Sequence, residues 1–179
     1  VAEASTAART RHGADALGYG AWAGPPPLLH WLTEHLARID GRAPALGELM
    51  ITAGVSQGLE MTVTMLTRPG DAVLAPVPTY HLALRILAEH AVRVVPIATD
   101  EDGPLPDAVT AAVRSLQSEG VRARLLYTVP TSGNPTGITV PIARRRALLA
   151  ATTAAGITIV EDDVYRELAY DAPAPPSLW

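Results

Sequence analysis

Residues 124–165 read RLLYTVPTSGNPTGITVPIARRRALLAATTAAGITIVEDDVY, and this stretch decides the fold. It opens on Arg124-Leu125-Leu126-Tyr127-Thr128-Val129, an apolar run with the length of a buried strand. A turn-rich loop follows over residues 130–137. Pro141 then opens a helical pattern that continues to about Ala155. Proline suits a first helical turn because its missing N–H would find no partner there. Gly156 stands where a left-handed helix stop belongs. Ile157-Thr158-Ile159-Val160 is a second apolar strand, and it runs straight into Glu161, Asp162 and Asp163. Two near-continuous apolar strands joined through a helix are the unit from which parallel sheets covered on both faces are built.

The same alternation continues upstream. Ala72-Val73-Leu74-Ala75 leads into a helix from about Tyr80 to Glu89. Residues 92–97 read as a strand and 106–118 as a helix. Leu49-Met50-Ile51 reads as another short strand, leading through Gly54 into a helix that reaches Leu66. Before these, Pro25-Pro26-Pro27 precedes the periodic set Leu28, Leu29, Trp31, Leu32, Leu36 and Ile39, an amphipathic helix. Residues 1–18 are a polar opening with no assigned element. No internal repeat is visible, and the low-complexity stretch 172–176 reads as a surface connection. The expected fold is α/β, three layers in the order α/β/α around a mostly parallel sheet.

Composition narrows the function. The chain has 179 residues, 48% hydrophobic and 18% charged, with a formal charge of −4. That length can bury a core, and the charge leaves no basic footprint for nucleic acid. No cysteine is present, which excludes disulfides, a thiol nucleophile and thiolate metal sites. All 14 basic residues are arginine, and phenylalanine is absent. No apolar run approaches the roughly 20 residues of a membrane span, so a soluble cytoplasmic protein is expected. His12, His30, His35, His81 and His90 are dispersed without metal-ligand spacing. Arg144-Arg145-Arg146 reads as a solvated helix face.

In open α/β sheets, ligands bind beyond the C-terminal strand ends, so the loops there carry the candidate chemistry. Residues 52–58, Thr-Ala-Gly-Val-Ser-Gln-Gly, precede a helix whose free N–H groups and dipole suit an anion such as phosphate. The blander reading of that loop is a turn with Ser56 as helix cap. Tyr80, at the start of its helix, can offer a ring face to a flat ligand, or simply pack in the core. In the loop 130–137, the Asn-Pro and Thr-Gly pairs force a turn, and Asn134 could hold its amide outward at a fixed angle. At the end of an apolar strand, the carboxylates of Glu161, Asp162 and Asp163 are partly desolvated. They need a cationic partner from the protein or from a ligand. Asp163 could alternatively cap a following turn.

Taken in order, these strings resemble the large domain of the fold-type I pyridoxal-phosphate enzymes, the aspartate aminotransferase superfamily, and most of all its class I/II aminotransferases. The resemblance begins at Tyr19-Gly20 with Gly24 and continues to Tyr165-Arg166-Glu167-Leu168. It implies pyridoxal 5'-phosphate as cofactor, and amino acids and 2-oxo acids as substrates. It also implies a homodimer, while the charge and the lack of a long apolar run leave no nucleic acid or membrane partner expected. Val55 and Ser56, with Gln57 nearby, would hold the phosphate. Tyr80 would stack on the pyridine ring, Asn134 and Tyr165 would donate to its phenolic oxygen, and Asp162 would pair with the protonated ring nitrogen. Tyr19 would reach the phosphate of the neighbouring subunit. Leu29 stands where the family often has arginine.

The family's reacting group is a lysine, which holds the cofactor as a Schiff base, and this chain has none. Arginine cannot substitute, because its guanidinium stays protonated and is a poor nucleophile. The expectation is therefore an incomplete cofactor-binding large domain over residues 1–179. The lysine segment and the C-terminal small domain lie outside it, and the chain alone is inactive. Three alternatives share the same loops. They are other chemistry at the α-carbon (decarboxylase, lyase or cyclase), the ligand-sensing domain of a transcription regulator, and a lysine-free pseudo-enzyme.

Overall fold

Four of the apolar runs pair as one parallel sheet in the computed structural model, which describes residues 1–170 and 172–179. The chain divides into two units, Val1–Thr52 and Ala53–Trp179.

In the second unit the elements are α3 (Val55–Leu66), β1 (Ala72–Pro76), α4 (His81–Glu89), β2 (Arg93–Ile97), α5 (Pro106–Ser118), β5 (Ala123–Thr128), α6 (Ile142–Ala155) and β6 (Thr158–Glu161). A two-stranded antiparallel pair, β3 (Thr99–Asp100) and β4 (Gly103–Pro104), lies between β2 and α5. The sheet order is β2-β1-β5-β6, with every pair parallel. β1 is buried at all five positions, as its central place requires. Edge strand β2 tolerates Pro96, because an edge position does not need every ladder N–H.

The strand period of two sorts the side chains between two cores. Ala72, Leu74, Ile97 and Leu126 pack with Val109, Val113 and Leu116 of α5 and Leu148 of α6. Val73, Leu125 and Tyr127 pack on the opposite face with Leu59 and Val63 of α3 and Ala83 and Leu87 of α4. This is the expected three-layer α/β/α arrangement. Since all four strands are parallel, the segments after β1, β5 and β6 leave the sheet at the same edge.

The N-terminal unit holds α1 (Ala2–His12) and α2 (Pro26–Asp40), with short 3₁₀ turns at Gly13–Leu17 and Leu46–Glu48. Pro26 occupies the first turn of α2, which stops at Gly41 in the left-handed conformation (φ 72°). Gly24 has φ +119°, and a Cβ there would lie 2.4 Å from Ile51 Cγ1, so only glycine fits.

Three expectations need correction. Leu49-Met50-Ile51 is not a strand: among the described residues it joins no ladder, and the Ile51 N–H donates to the Ala23 carbonyl at 2.8 Å. Three residues are too few to hold a strand without a committed neighbour. The polar opening contains helix α1, which buries none of its residues and so shows no apolar period. The arginine run is not a solvated face, because Arg145 is 1% exposed. Arg145, Leu148 and Thr152 are the buried positions of α6, spaced three and four apart as one helix face. Arg144 is also engaged, in a two-pronged ion pair with Asp100 at 2.8 and 2.9 Å, and only Arg146 is exposed.

Candidate active site

The shared edge of β1, β5 and β6 borders a cavity of about 140 Å³. Tyr80 lines it from the segment after β1, Asn134 from the loop after β5, and Asp162, Val164 and Tyr165 from the segment after β6. Val55, Ser56 and Leu59 line it from the first turns of α3, and Ile86 and Val129 complete the wall.

Each polar group is aimed by local structure. Asp162 follows β6 directly, and its N–H continues the ladder to the Thr128 carbonyl at 2.9 Å. Its Oδ2 accepts a hydrogen bond from the Tyr127 hydroxyl at 2.8 Å. Its Oδ1 is buried and has no hydrogen-bond partner. Burial raises the Asp162 carboxyl above its ordinary range, the Tyr127 hydroxyl opposes that, and neighbouring Asp163 adds to it. Burial, with the nearby Asp162 carboxylate, in turn pushes the Tyr127 phenol up and keeps it a donor. Asn134 Nδ2 donates to the Tyr165 hydroxyl at 3.3 Å, so these two side chains converge on one spot.

Val55 is the first residue of α3, and Gly54 is its N-cap at φ 85°. Ser56 therefore lies inside the first turn and is not the cap. The leading N–H groups of a helix have no partner within it, and here that end opens on the cavity. Gln57 points elsewhere: its Oε1 accepts from the Ala53 N–H at 2.6 Å and it does not line the cavity. Tyr80 immediately precedes α4 and meets the His81 ring edge-on, with centroids 5.5 Å apart. Tyr19 belongs to the N-terminal unit, where its side chain is fully exposed.

The three acids at the end of β6 have three different surroundings. Glu161 pairs with buried Arg145 at 3.1 Å and accepts the Leu178 N–H at 2.8 Å. Burial pushes its carboxyl up to about 7, the Leu178 N–H and Arg145 pull it down, and Asp163 adds to the rise. Asp163 faces Arg166 at 3.8 Å, and its backbone carbonyl accepts the Arg166 N–H in the turn leading to Arg166–Leu168. Both Asp163 oxygens, like Asp162 Oδ1, are buried without a hydrogen-bond partner, but of the three acids only Asp162 lines the cavity. Among the described residues no group of three His, Asp or Glu side chains is placed to hold a metal. No helix there is long and apolar enough to cross a membrane.

The arrangement offers an acceptor for a cationic N–H, an aromatic face, two side chains converging on one polar atom, and a helix N-terminus for an anion. A flat phosphorylated heterocycle with a protonated ring nitrogen matches that set, so the residues present fit pyridoxal phosphate.

Known proteins give an independent reading. The family model described as aminotransferase class I and II matches residues 1–178. Aromatic-amino-acid aminotransferase 1 of Thermococcus litoralis is 32% identical over 167 residues, which is 93% of this chain and 40% of that protein. An uncharacterized HTH-type transcriptional regulator of Escherichia coli is 32% identical over 166 residues, 90% of this chain and 33% of its own length. The crystal structure of Pyrococcus horikoshii kynurenine aminotransferase, in complex with PMP and with KYN and KYA, superposes with a TM-score of 0.88 at 30% identity. That match covers 98% of this chain and 44% of that one. The chain thus spans less than half the length of the proteins it matches.

Proposed function

This chain belongs to the class I and II aminotransferase family, and from that membership and the cavity we propose that it forms the cofactor-binding part of an enzyme moving an amino group between an amino acid and a 2-oxo acid. The observation that carries the reading is the Asp162 carboxylate, with one oxygen tied to Tyr127 and the other buried and open.

Pyridoxal 5'-phosphate, when bound, supplies an electron sink for a bond broken at the substrate's α-carbon. The residues of this chain position and tune it. Asp162 Oδ1 takes the ring N–H and, in a site shielded from water, favours the protonated ring. Tyr127 keeps Asp162 aimed by occupying its other oxygen. Tyr80 covers one ring face, Asn134 and Tyr165 donate to the ring's phenolic oxygen, and the N-terminus of α3 with Ser56 receives the phosphate. Leu59, Ile86 and Val129 exclude water from the apolar side of the cavity. The reading extends to a cytoplasmic homodimer in which Tyr19 reaches the phosphate of the neighbouring subunit.

The 179 residues contain no lysine. They supply no lysine ε-amine to bond the cofactor covalently or to move the α-proton, so this chain alone binds without turnover. Reversible binding of pyridoxamine 5'-phosphate, which carries no aldehyde and needs no lysine, tests the reading. Saturable binding supports it, and its absence from a folded chain contradicts it.

The similarity to the Escherichia coli regulator favours a second reading, a ligand-sensing domain with the same cavity. The two separate on the coding sequence flanking this segment. A basic DNA-binding domain upstream marks the regulator, and a Ser-x-x-Lys string downstream without such a domain marks the enzyme.

A further inference from the structure

Arg145 reaches both segments that carry the proposed site's polar groups. Its Nε donates to the Val140 carbonyl at 2.9 Å, and one Nη donates to the Pro130 carbonyl at 3.0 Å and to Thr131 Oγ1 at 2.9 Å. Pro130 and Val140 are the two ends of the loop that carries Asn134, already joined by a Val140 N–H to Pro130 carbonyl bond of 2.8 Å. The other Nη donates to Glu161 Oε1 at 3.1 Å and to the Pro176 carbonyl at 3.2 Å. Glu161 immediately precedes Asp162 and is paired in register with Thr128 of β5. One fully buried guanidinium therefore bridges the neck of the Asn134 loop and the strand end that presents Asp162.

We propose that Arg145 is the positioning residue of this site, its planar fork setting the separation between Asn134 and Asp162. A fork with five fixed donors can hold two acceptor groups at one geometry, whereas the point charge of a lysine cannot. The site depends on such spacing, because the two side chains must meet two different positions of a single rigid ring. Arg145 does not line the cavity. Its effect is exerted through Thr131, Val140 and Glu161. The proposal rests on the cofactor-binding reading, and the experiment below separates the two.

The test titrates the full chain with pyridoxamine 5'-phosphate, following the absorbance of the bound ring. It compares the wild type with Arg145→Lys, Thr131→Val and Leu148→Ala. Leu148 is buried in the same helix, so its truncation lowers stability without touching the fork. Affinities are referred to the folded fraction measured by circular dichroism. Arg145→Lys is expected to weaken binding about ten-fold per folded molecule and to shift the absorbance band. Thr131→Val, which keeps the guanidinium in place, should give a smaller loss with the same direction of spectral shift. Leu148→Ala should bind like the wild type. If Arg145→Lys cannot be obtained folded, Thr131→Val decides alone. Wild-type affinity and spectrum in the arginine variant, or in the threonine variant when it decides, would overturn the proposal. So would an equal loss in Leu148→Ala. A folded wild type that fails to bind at all would instead overturn the cofactor reading.

Discussion

Replacing Asp162 by asparagine isolates the charge of the carboxylate from its shape. The amide oxygen can still accept the Tyr127 hydroxyl that now bonds Oδ2 at 2.8 Å. The other atom becomes an NH2 donor, placed where buried Oδ1 now has no partner. Against a protonated pyridine nitrogen that substitution sets donor against donor. A hydrogen bond between charged groups in such a place contributes roughly 1.5–3 kcal/mol. The variant should therefore bind pyridoxamine 5'-phosphate roughly 10- to 150-fold more weakly. Equilibrium titration near neutral pH, with folding checked by circular dichroism, measures it. Asp163→Asn is the matched control, because that carboxylate faces Arg166 rather than the cavity. It should weaken binding less than Asp162→Asn does, because Asp163 acts on the cavity only through its charge on Asp162. Equal losses in the two variants, or no loss in Asp162→Asn, would refute the assignment of Asp162 to the ring nitrogen.

Other consequences can be checked on the same material. Glu161 is raised from 4.5 to about 7 by burial, so between those values the folded chain holds a proton that the unfolded chain releases. Stability from this group is thus full below pH 4.5 and falls as pH rises through 7, by about 3 kcal/mol in all. Urea unfolding at pH 5 and pH 8 should show that fall in the wild type and a flatter profile in Glu161→Gln, whereas parallel profiles would contradict it. Tyr127→Phe leaves Asp162 Oδ2 buried without its donor, at a cost of roughly 1–3 kcal/mol. The same variant should move the pH dependence of ligand binding upward, since the Asp162 carboxyl loses a group that lowers its pKa. Gly133→Ala would place a Cβ 2.9 Å from the Val129 carbonyl oxygen, next to Asn134. It should destabilise by about 1–3 kcal/mol and weaken pyridoxamine phosphate binding, and unchanged unfolding would show that the loop is less confined.

Much of the fold was legible because buried parallel strands are written as short apolar runs. The helix 106–118 and the stop at Gly156 agree with the structure for the same local reasons of proline entry and glycine exit. Asp162, Asn134, Tyr80, Tyr165, Val55 and Ser56 were placed by their loops, and the common direction of the strands brings those loops together. The Gln57 side chain, in the first turn of its helix, accepts a backbone N–H and does not line the cavity, which sequence position alone does not reveal.

Two residues escaped for instructive reasons. Tyr127 sits inside an apolar strand and reads as core, which it also is, being 1% exposed. Its position one residue before the strand's end was the available sign that its hydroxyl reaches the sheet edge. Arg145 was hidden by two neighbouring arginines. Its spacing to Leu148 and Thr152 on the buried face of α6, and an acid at the end of an apolar strand in need of a cation, together pointed to it. Helix α1 was illegible because a helix that buries nothing carries no apolar period.

The central claim is that this cavity holds a flat phosphorylated ring whose nitrogen keeps its proton against Asp162. Nuclear magnetic resonance of pyridoxamine 5'-phosphate labelled with nitrogen-15 in the ring reads that proton directly. Bound to the wild-type chain, the ring nitrogen should show the shift of a protonated pyridine to a higher pH than the free compound, and should lose that protection in Asp162→Asn. A bound ring that titrates like the free compound, or identically in both proteins, would contradict the account.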